Sequence, residues 1–371
     1  MKIGIDARLY GTHHRGIGRY TFNLIKELQR LDTKNCYSLF GDPKIIDDLP
    51  NNWRIINARP RVYSINEQLR LPRLFRQANL DLVHFPHWNV PLRYRRPYVV
   101  TIHDLILHHF PSERATTLPL PIYKFKLALS YLTFKRAVAG AQKIITVSQT
   151  TANDLASYYP EVKNKIEVIY EAPTIDGHMD GQSPGNRLVA QPYLLNVGAA
   201  YPHKNLELLI DAHQQLLRDY PNLKLILVGR RDYFYQRLEQ QLINQNKNKQ
   251  VVFWGEADDL TLTTLFRQAK VYITPSLAEG FNLGAVEALS FNLPVVASDI
   301  NIHREILDSA VAYFNYNSSD SLFNVLKTVL AGEKTDFSFL KEIPRVLSRY
   351  SWQQVARQTL NCYESALSQI G

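Results

Sequence analysis

Short apolar runs recur along the chain at spacings that only an alternating strand–helix fold accommodates, and the pattern starts twice. In the first half Lys2–Asp6 reads as a strand, and Ile17, Tyr20, Leu24, Ile25, Leu28 and Leu31 mark the buried stripe of the helix after it. Residues 80–84, 98–102 and 143–147 are further apolar runs, each ending in a polar turn or one with Gly, Pro or His. The second half begins again at residues 193–198, where Leu206, Leu209, Ile210, His213, Leu217 and Tyr220 trace the next helix face. Runs at 223–229 and 251–255 follow. Such alternation predicts two α/β domains, each a doubly wound parallel sheet that binds ligands at the carboxyl ends of its strands.

Residues 173–191, rich in Gly, Asp, Ser and Pro, read as a linker. The expected division is 1–172, a linker at 173–191, a second domain at 192–349, and a last amphipathic helix within 350–371. Its stripe is Trp352, Val355, Ala356, Leu360, Tyr363 and Leu367. An apolar fraction of 45% supports full cores, and no apolar run is long enough to cross a bilayer. The first residues resemble a core strand rather than a signal peptide. Cys36 and Cys362 stand far apart with no metal-ligand spacing, which fits a reducing cytosol. Charge is uneven: residues 1–172 hold 25 Lys+Arg against 14 Asp+Glu, while the remainder is slightly acidic. The basic half implies an anionic partner such as a phosphate-bearing substrate or a membrane face, or simply a basic soluble surface.

The densest chemistry lies in residues 270–298, an apolar run, a Gly-containing turn, a helical stretch and a second apolar run, which make a βαβ unit. Glu279 falls in the turn and Glu287 about one and a half turns into the helix. The amides of Gly280, Phe281, Asn282 and Leu283 lie at the helix start, where unpaired N–H groups attract anions. Amide donors between two carboxylates suit a nucleotide sugar, although two acids favoured by a helix dipole would have the same spacing.

This segment resembles the Glu-x7-Glu signature of the retaining glycosyltransferases of family 4. The family form is Glu-Gly-Phe-Gly-Leu-Pro with Glu three residues later. Glu279, Gly280, Phe281, Leu283 and Glu287 match it, whereas Asn282 stands for the usual Gly and Gly284 for the usual Pro. Asn282 is a good N-cap, so the helix start is expected to survive. The resemblance implies the GT-B fold, two Rossmann-like domains with an interdomain cleft, and a last helix that crosses back to the first domain.

Other motifs fall in family order. Gly16 and Gly18 open the first helix, and resemble the family's Gly-Gly-Ile-Gly-Arg-Tyr, which implies donor-phosphate or acceptor contact; as a bare Gly-x-Gly they mark a tight turn equally well. His103 and Asp104 end an apolar strand, where a hydroxyl can be polarised; the family places such a His beside the transferred sugar. His84 and His87 lie in Asp-Leu-Val-His-Phe-Pro-His-Trp-Asn, which resembles mannosyltransferase-like members, and no third ligand is spaced to share a metal with them. Lys204 follows residues 198–203 and is assigned to the donor phosphate. The second cation usual in the family is replaced by Ala199 and His203, with Arg230 or Arg231 as compensation. Trp254 and Gly255 occupy the place where the family's backbone reads the base, and Glu305 is its usual acid after the last cleft strand.

The resemblance thus implies a retaining, metal-independent hexosyltransferase without a cofactor. Glu279 would hold sugar hydroxyls, Glu287 the ribose, and His103 the anomeric region. GDP-mannose is the first choice of donor, with UDP-glucose, UDP-GlcNAc and dTDP-rhamnose as alternatives. The acceptor is a glycan or a lipid-linked glycan, and nucleic acid is not expected. A silent GT-B binding scaffold and an NAD-dependent oxidoreductase are the readings from other classes. An incomplete Gly fingerprint and the missing ribose acid argue against the latter. The protein is expected in the cytoplasm, peripheral on the inner membrane face if its basic half meets lipid. Candidate contacts are Arg59, Arg61, Arg70, Arg73, Arg76, Arg93, Arg95 and Arg96. Lys124, Lys126, Lys135 and Arg136 join them on a stretch, 122–136, that reads as an interfacial helix or as a core-packed one with a basic rim.

Overall fold

A computed structural model describes residues 1–11, 15–46, 49–58, 60, 62–110, 116, 118–175, 177, 188–332 and 337–368. Arg59, Arg61 and most of the expected linker lie outside the described residues. The chain divides into two compact units, Met1–Leu105 with Leu118–Ala172 and Ser351–Gly371, and Ile106–Thr117 with Pro173–Tyr350. The short segment Ile106–Thr117 therefore groups with the second unit.

The first unit is built on seven strands: β1 (Lys2–Asp6), β2 (Cys36–Gly41), β3 (Trp53–Asn57), β4 (Leu82–Phe85), β5 (Tyr98–Ile102), β6 (Lys143–Thr146) and β7 (Ile166–Val168). Their order is β3-β2-β1-β4-β5-β6-β7, and every pair is parallel. The central strands are buried on both faces, which is why they read as continuous apolar runs rather than alternating ones. One core face gathers Phe75, Phe85, Val100, Phe134 and Val138. The other gathers Ile3, Ile5, Tyr20, Leu24 and Leu28, and the last helix, Trp352–Ser368, joins it with Val355, Cys362 and Tyr363.

The second unit has six strands: β8 (Tyr193–Val197), β9 (Lys224–Val228), β10 (Val251–Gly255), β11 (Val271–Thr274), β12 (Val295–Ser298) and β13 (Ala312–Phe314). Their order is β10-β9-β8-β11-β12-β13, again all parallel. In each sheet the chain winds one way from its first strand and then reverses. The crevice lies at the carboxyl ends of β1 and β4 in the first sheet, and of β8 and β11 in the second.

Candidate active site

In the second unit the crevice is lined by two loops. After β8 the chain turns at Gly198, makes a single 3-10 turn at Pro202–Lys204, and enters the helix Leu206–Leu216 through Asn205 in the left-handed region. After β11 it runs through Ser276 and Glu279 to the helix Leu283–Ser290. The two loops are tied by the Leu277 N–H on the His203 carbonyl, 2.8 Å, and by Lys204, whose Nζ lies 2.6 and 2.7 Å from the Glu279 carboxylate oxygens. Ser276 Oγ donates to Glu279 Oε1 at 2.6 Å. Burial works against a charge on Glu279, whose side chain is 10% exposed, but Lys204 and Ser276 outweigh it and hold the carboxyl below its usual range. An ammonium carries three N–H donors, so the pair with Glu279 leaves Lys204 a third for a phosphate.

Asn282 caps the helix from φ +72°, a left-handed conformation in which Asn is among the tolerated residues. Its side-chain oxygen accepts from the Ala285 N–H, and its amide donates to Thr274 Oγ1 and His303 Nε2, each at 2.7 Å. His303 is fully buried and its other nitrogen faces the Ser298 carbonyl at 2.9 Å. Burial holds the ring neutral, with a pKa down to about 4. A donor on Nε2 and an acceptor on Nδ1 together fix the tautomer with the proton on Nδ1. The Leu283 and Gly284 amides, ahead of the first helical bond, have no carbonyl one turn earlier, an arrangement that in general attracts anions. Phe281 is buried against Tyr350, so only its backbone faces that site.

The remaining second-unit residues sit around this centre. Glu287 is buried and accepts from Thr174 Oγ1 at 2.6 Å and from its N–H at 3.3 Å. Trp254 and Gly255 end β10, where Gly255 has φ +93° and its carbonyl accepts from Gly229. Arg230 is exposed and no ion pair engages it among the described residues, whereas Arg231 pairs with Glu239. Glu305 lies in the helix Asn301–Leu307.

In the first unit Gly16 and Gly18 lie in the first turn of the helix Arg15–Leu31, Gly18 buried and its carbonyl accepting the Gly11 N–H. His103 and Asp104 follow β5 directly. Both His103 nitrogens are engaged: Nε2 donates to the Pro86 carbonyl at 2.9 Å, and Nδ1 meets Glu171 Oε1 at 2.7 Å. Burial opposes a charge on the ring, but Glu171, the Pro86 carbonyl and Asp104 outweigh it and raise the pKa. Both ring nitrogens of His103 are therefore already committed within the first unit, and its charged form is favoured relative to a free imidazole. His84 bonds Tyr363 and Thr101, and His87 bonds Tyr63, so these two imidazoles do not converge. Sequence reasoning missed Glu171, Ser276, His303 and the cluster of Asp6, Arg8 and Glu67. Only the last left a local sign, charged residues at the end of the first strand and just after it and a Ser64-x-x-Glu67 capping box.

Two family models match the chain: glycosyltransferase family 4 over residues 14–172, and the group 1 glycosyl transferases over residues 183–343. The O-antigen chain mannosyltransferase RfbU of Salmonella typhimurium is 27% identical over 316 residues, 85% of this chain and 80% of that protein. The O-antigen chain mannosyltransferase B of Escherichia coli is 25% identical over 381 residues, 94% of this chain and 96% of the relative. Among solved structures, the sucrose-phosphate synthase of Thermosynechococcus elongatus superposes with a TM-score of 0.76 at 18% identity, covering 100% of both chains. Two all-parallel sheets of reversed winding, the Lys204–Glu279 centre and these matches end to end establish that the chain is an enzyme of the family 4 glycosyltransferases with the GT-B fold.

Proposed function

We propose that the chain transfers mannose from GDP-mannose, with retention of configuration and without a metal ion, to a growing or lipid-linked polysaccharide. The observation that carries the donor site is the Lys204–Glu279–Ser276 cluster beside the amides of the Leu283–Ser290 helix. There a diphosphate leaving group meets a fixed cation and a helix start, while Glu279 retains acceptor capacity for sugar hydroxyls. Preorganised donors of this kind stabilise charge that develops on the departing phosphate. Glu287, with Trp254 and Gly255, takes the nucleoside. Mannose is favoured by the two mannosyltransferase relatives that span most of the chain. The acceptor and an anionic membrane surface are assigned to the basic first unit.

The test is thermal shift of the purified chain with GDP-mannose, UDP-glucose, UDP-GlcNAc and dTDP-rhamnose, since a ligand that binds only the folded state stabilises it by mass action. GDP-mannose should give the largest shift, and a larger one with another donor replaces mannose in this reading. Lys204→Ala should weaken free nucleotide and donor alike by about 1.5–3 kcal/mol, the worth of a charged hydrogen bond. Unchanged nucleotide affinity by calorimetry removes Lys204 from the site.

A further inference from the structure

The first sheet has its own polar crevice, at the carboxyl ends of β1 and β4, which the donor chemistry leaves unused. Arg8 lies at its centre. Its Nε and Nη2 bond the two Asp6 oxygens at 2.8 and 2.6 Å, and Nη2 also reaches Glu67 Oε1 at 2.6 Å. Glu67 is fully buried and accepts from Asn89 at 2.5 Å and from the Tyr63 N–H at 2.8 Å. Beside this network is a cavity of about 10 Å³, lined by Asp6, Arg8, Val62, Pro86, His87 and Asn89 among others.

Two features there point to a ligand. His87 Nδ1 is buried without a hydrogen-bond partner among the described residues, although Nε2 meets the Tyr63 hydroxyl at 2.6 Å. Tyr63 itself holds φ +63°, a conformation that aromatic residues seldom adopt. It is fastened there at both ends, by its N–H on Glu67 and its hydroxyl on His87. Strained backbone of this kind concentrates at ligand sites.

We infer that this cavity receives one uncharged hydroxyl of the acceptor sugar, bonded by His87 Nδ1. The inference rests on the reading that the chain glycosylates a glycan, and names where that glycan is held. One cation against two carboxylates leaves the cluster negative, so a phosphate or carboxylate is repelled. Burial keeps the His87 ring neutral, with a pKa down to about 3, and it then has one N–H and one lone pair. A hydroxyl donates and accepts, so it serves Nδ1 in either tautomer. The cavity volume is that of one water-sized group, which admits a single hydroxyl and keeps the sugar ring outside. There Tyr63, 64% exposed, offers an aromatic face.

The test uses the full chain with nitrogen-15 in its imidazoles, titrated to saturation with a panel of octyl hexopyranosides and their monodeoxy analogues. At least one glycoside should shift the His87 Nδ1 resonance, and removal of one particular hydroxyl should cut its affinity about tenfold or more, as for sites built around a substrate hydroxyl. His87→Ala and Tyr63→Phe should raise the acceptor KM by a similar factor without altering nucleotide-sugar affinity. If no glycoside of the panel shifts His87, or if His87→Ala leaves acceptor KM and hydroxyl discrimination unchanged, the cavity is not an acceptor site. Failure of the underlying reading shows separately, as absence of any nucleotide-sugar shift in the wild-type chain.

Discussion

Asn282 illustrates how one residue can replace a family glycine and take on added work. It keeps the left-handed backbone, caps the helix, and hands a hydrogen bond to the buried His303. Asn282→Gly restores the family residue and suits the backbone, yet it leaves His303 Nε2 unpaired. It should therefore destabilise the chain by about 1–3 kcal/mol, the cost of a buried unsatisfied group; a neutral or stabilising urea midpoint would sink this account. Gly284 departs for a steric reason. A Cβ there would collide with the hydroxyl of buried Tyr272, which itself donates to the Val197 carbonyl at 3.4 Å. Gly284→Ala should cost about 1–3 kcal/mol by overpacking, and combining it with Tyr272→Phe should recover most of the loss. Additive costs in the double variant would show that the two residues are not coupled. Both departures were legible in the sequence, but the partners that explain them were not, because Tyr272 and His303 reach the site only through the sheet.

At the scale of an element, the helix Leu120–Gly140 divides its work along its length. Thr133, Phe134, Ala137 and Val138 are buried near its end, whereas Ile122, Phe125, Leu129 and Leu132 are exposed on one face, Phe125 by 71%. Lys124, Lys126, Lys135 and Arg136 are exposed along the same helix. Among the described residues no helix is long and apolar enough to span a bilayer. An exposed apolar stripe with flanking cations suits the interfacial plane instead, each basic residue adding about 1 kcal/mol near anionic lipid. The chain should sediment with anionic vesicles at low salt and be released by several hundred millimolar salt, where the Debye length is below about 5 Å. Phe125→Ser with Leu129→Ser should weaken that binding without lowering stability, since neither side chain is buried. Equal binding to neutral and anionic vesicles would remove the membrane from the proposed function.

For the molecule as a whole, buried histidines set the response to acid. His84, His213 and His303 are fully buried, and burial lowers their pKa values to about 3, 4 and 4. An unfolded histidine titrates near 6.5, so below that pH the unfolded chain binds more protons and stability falls as pH is lowered. Each contributes a slope of up to about 1.4 kcal/mol per pH unit in that window. His103 acts the other way. Its pKa is raised against burial by Glu171, so its contribution is fully present below pH ~6.5 and is lost as pH rises through the folded value. Burial also lowers His87 and His203, to about 3 and about 4, so the neutral rings outweigh His103 and predict a lower Tm at pH 5 than at pH 7, measurable by calorimetry; a flat or inverted profile would mean these rings are not neutral in the folded chain.

What the sequence determined by itself is what local patterns encode. The period of apolar residues showed where Lys2–Asp6, Tyr98–Ile102 and the helices lie, because each buries one face or both against neighbours of the same kind. The Glu279–Glu287 segment was readable for the same reason, since its turn, cap and helix are contiguous. Only the tertiary structure decided the electrical state of the groups. Lys204 and Glu279 are 75 positions apart and meet because β8 and β11 are neighbours. The pKa of His103 is raised because Glu171, 68 positions away, shares its burial, and Arg8, in the turn after β1, is held by Glu67 from the helix that Ser64 caps. Charge and strain at a site depend on which partners share its desolvated space. That is a property of strand order and burial, which no stretch of neighbouring residues records.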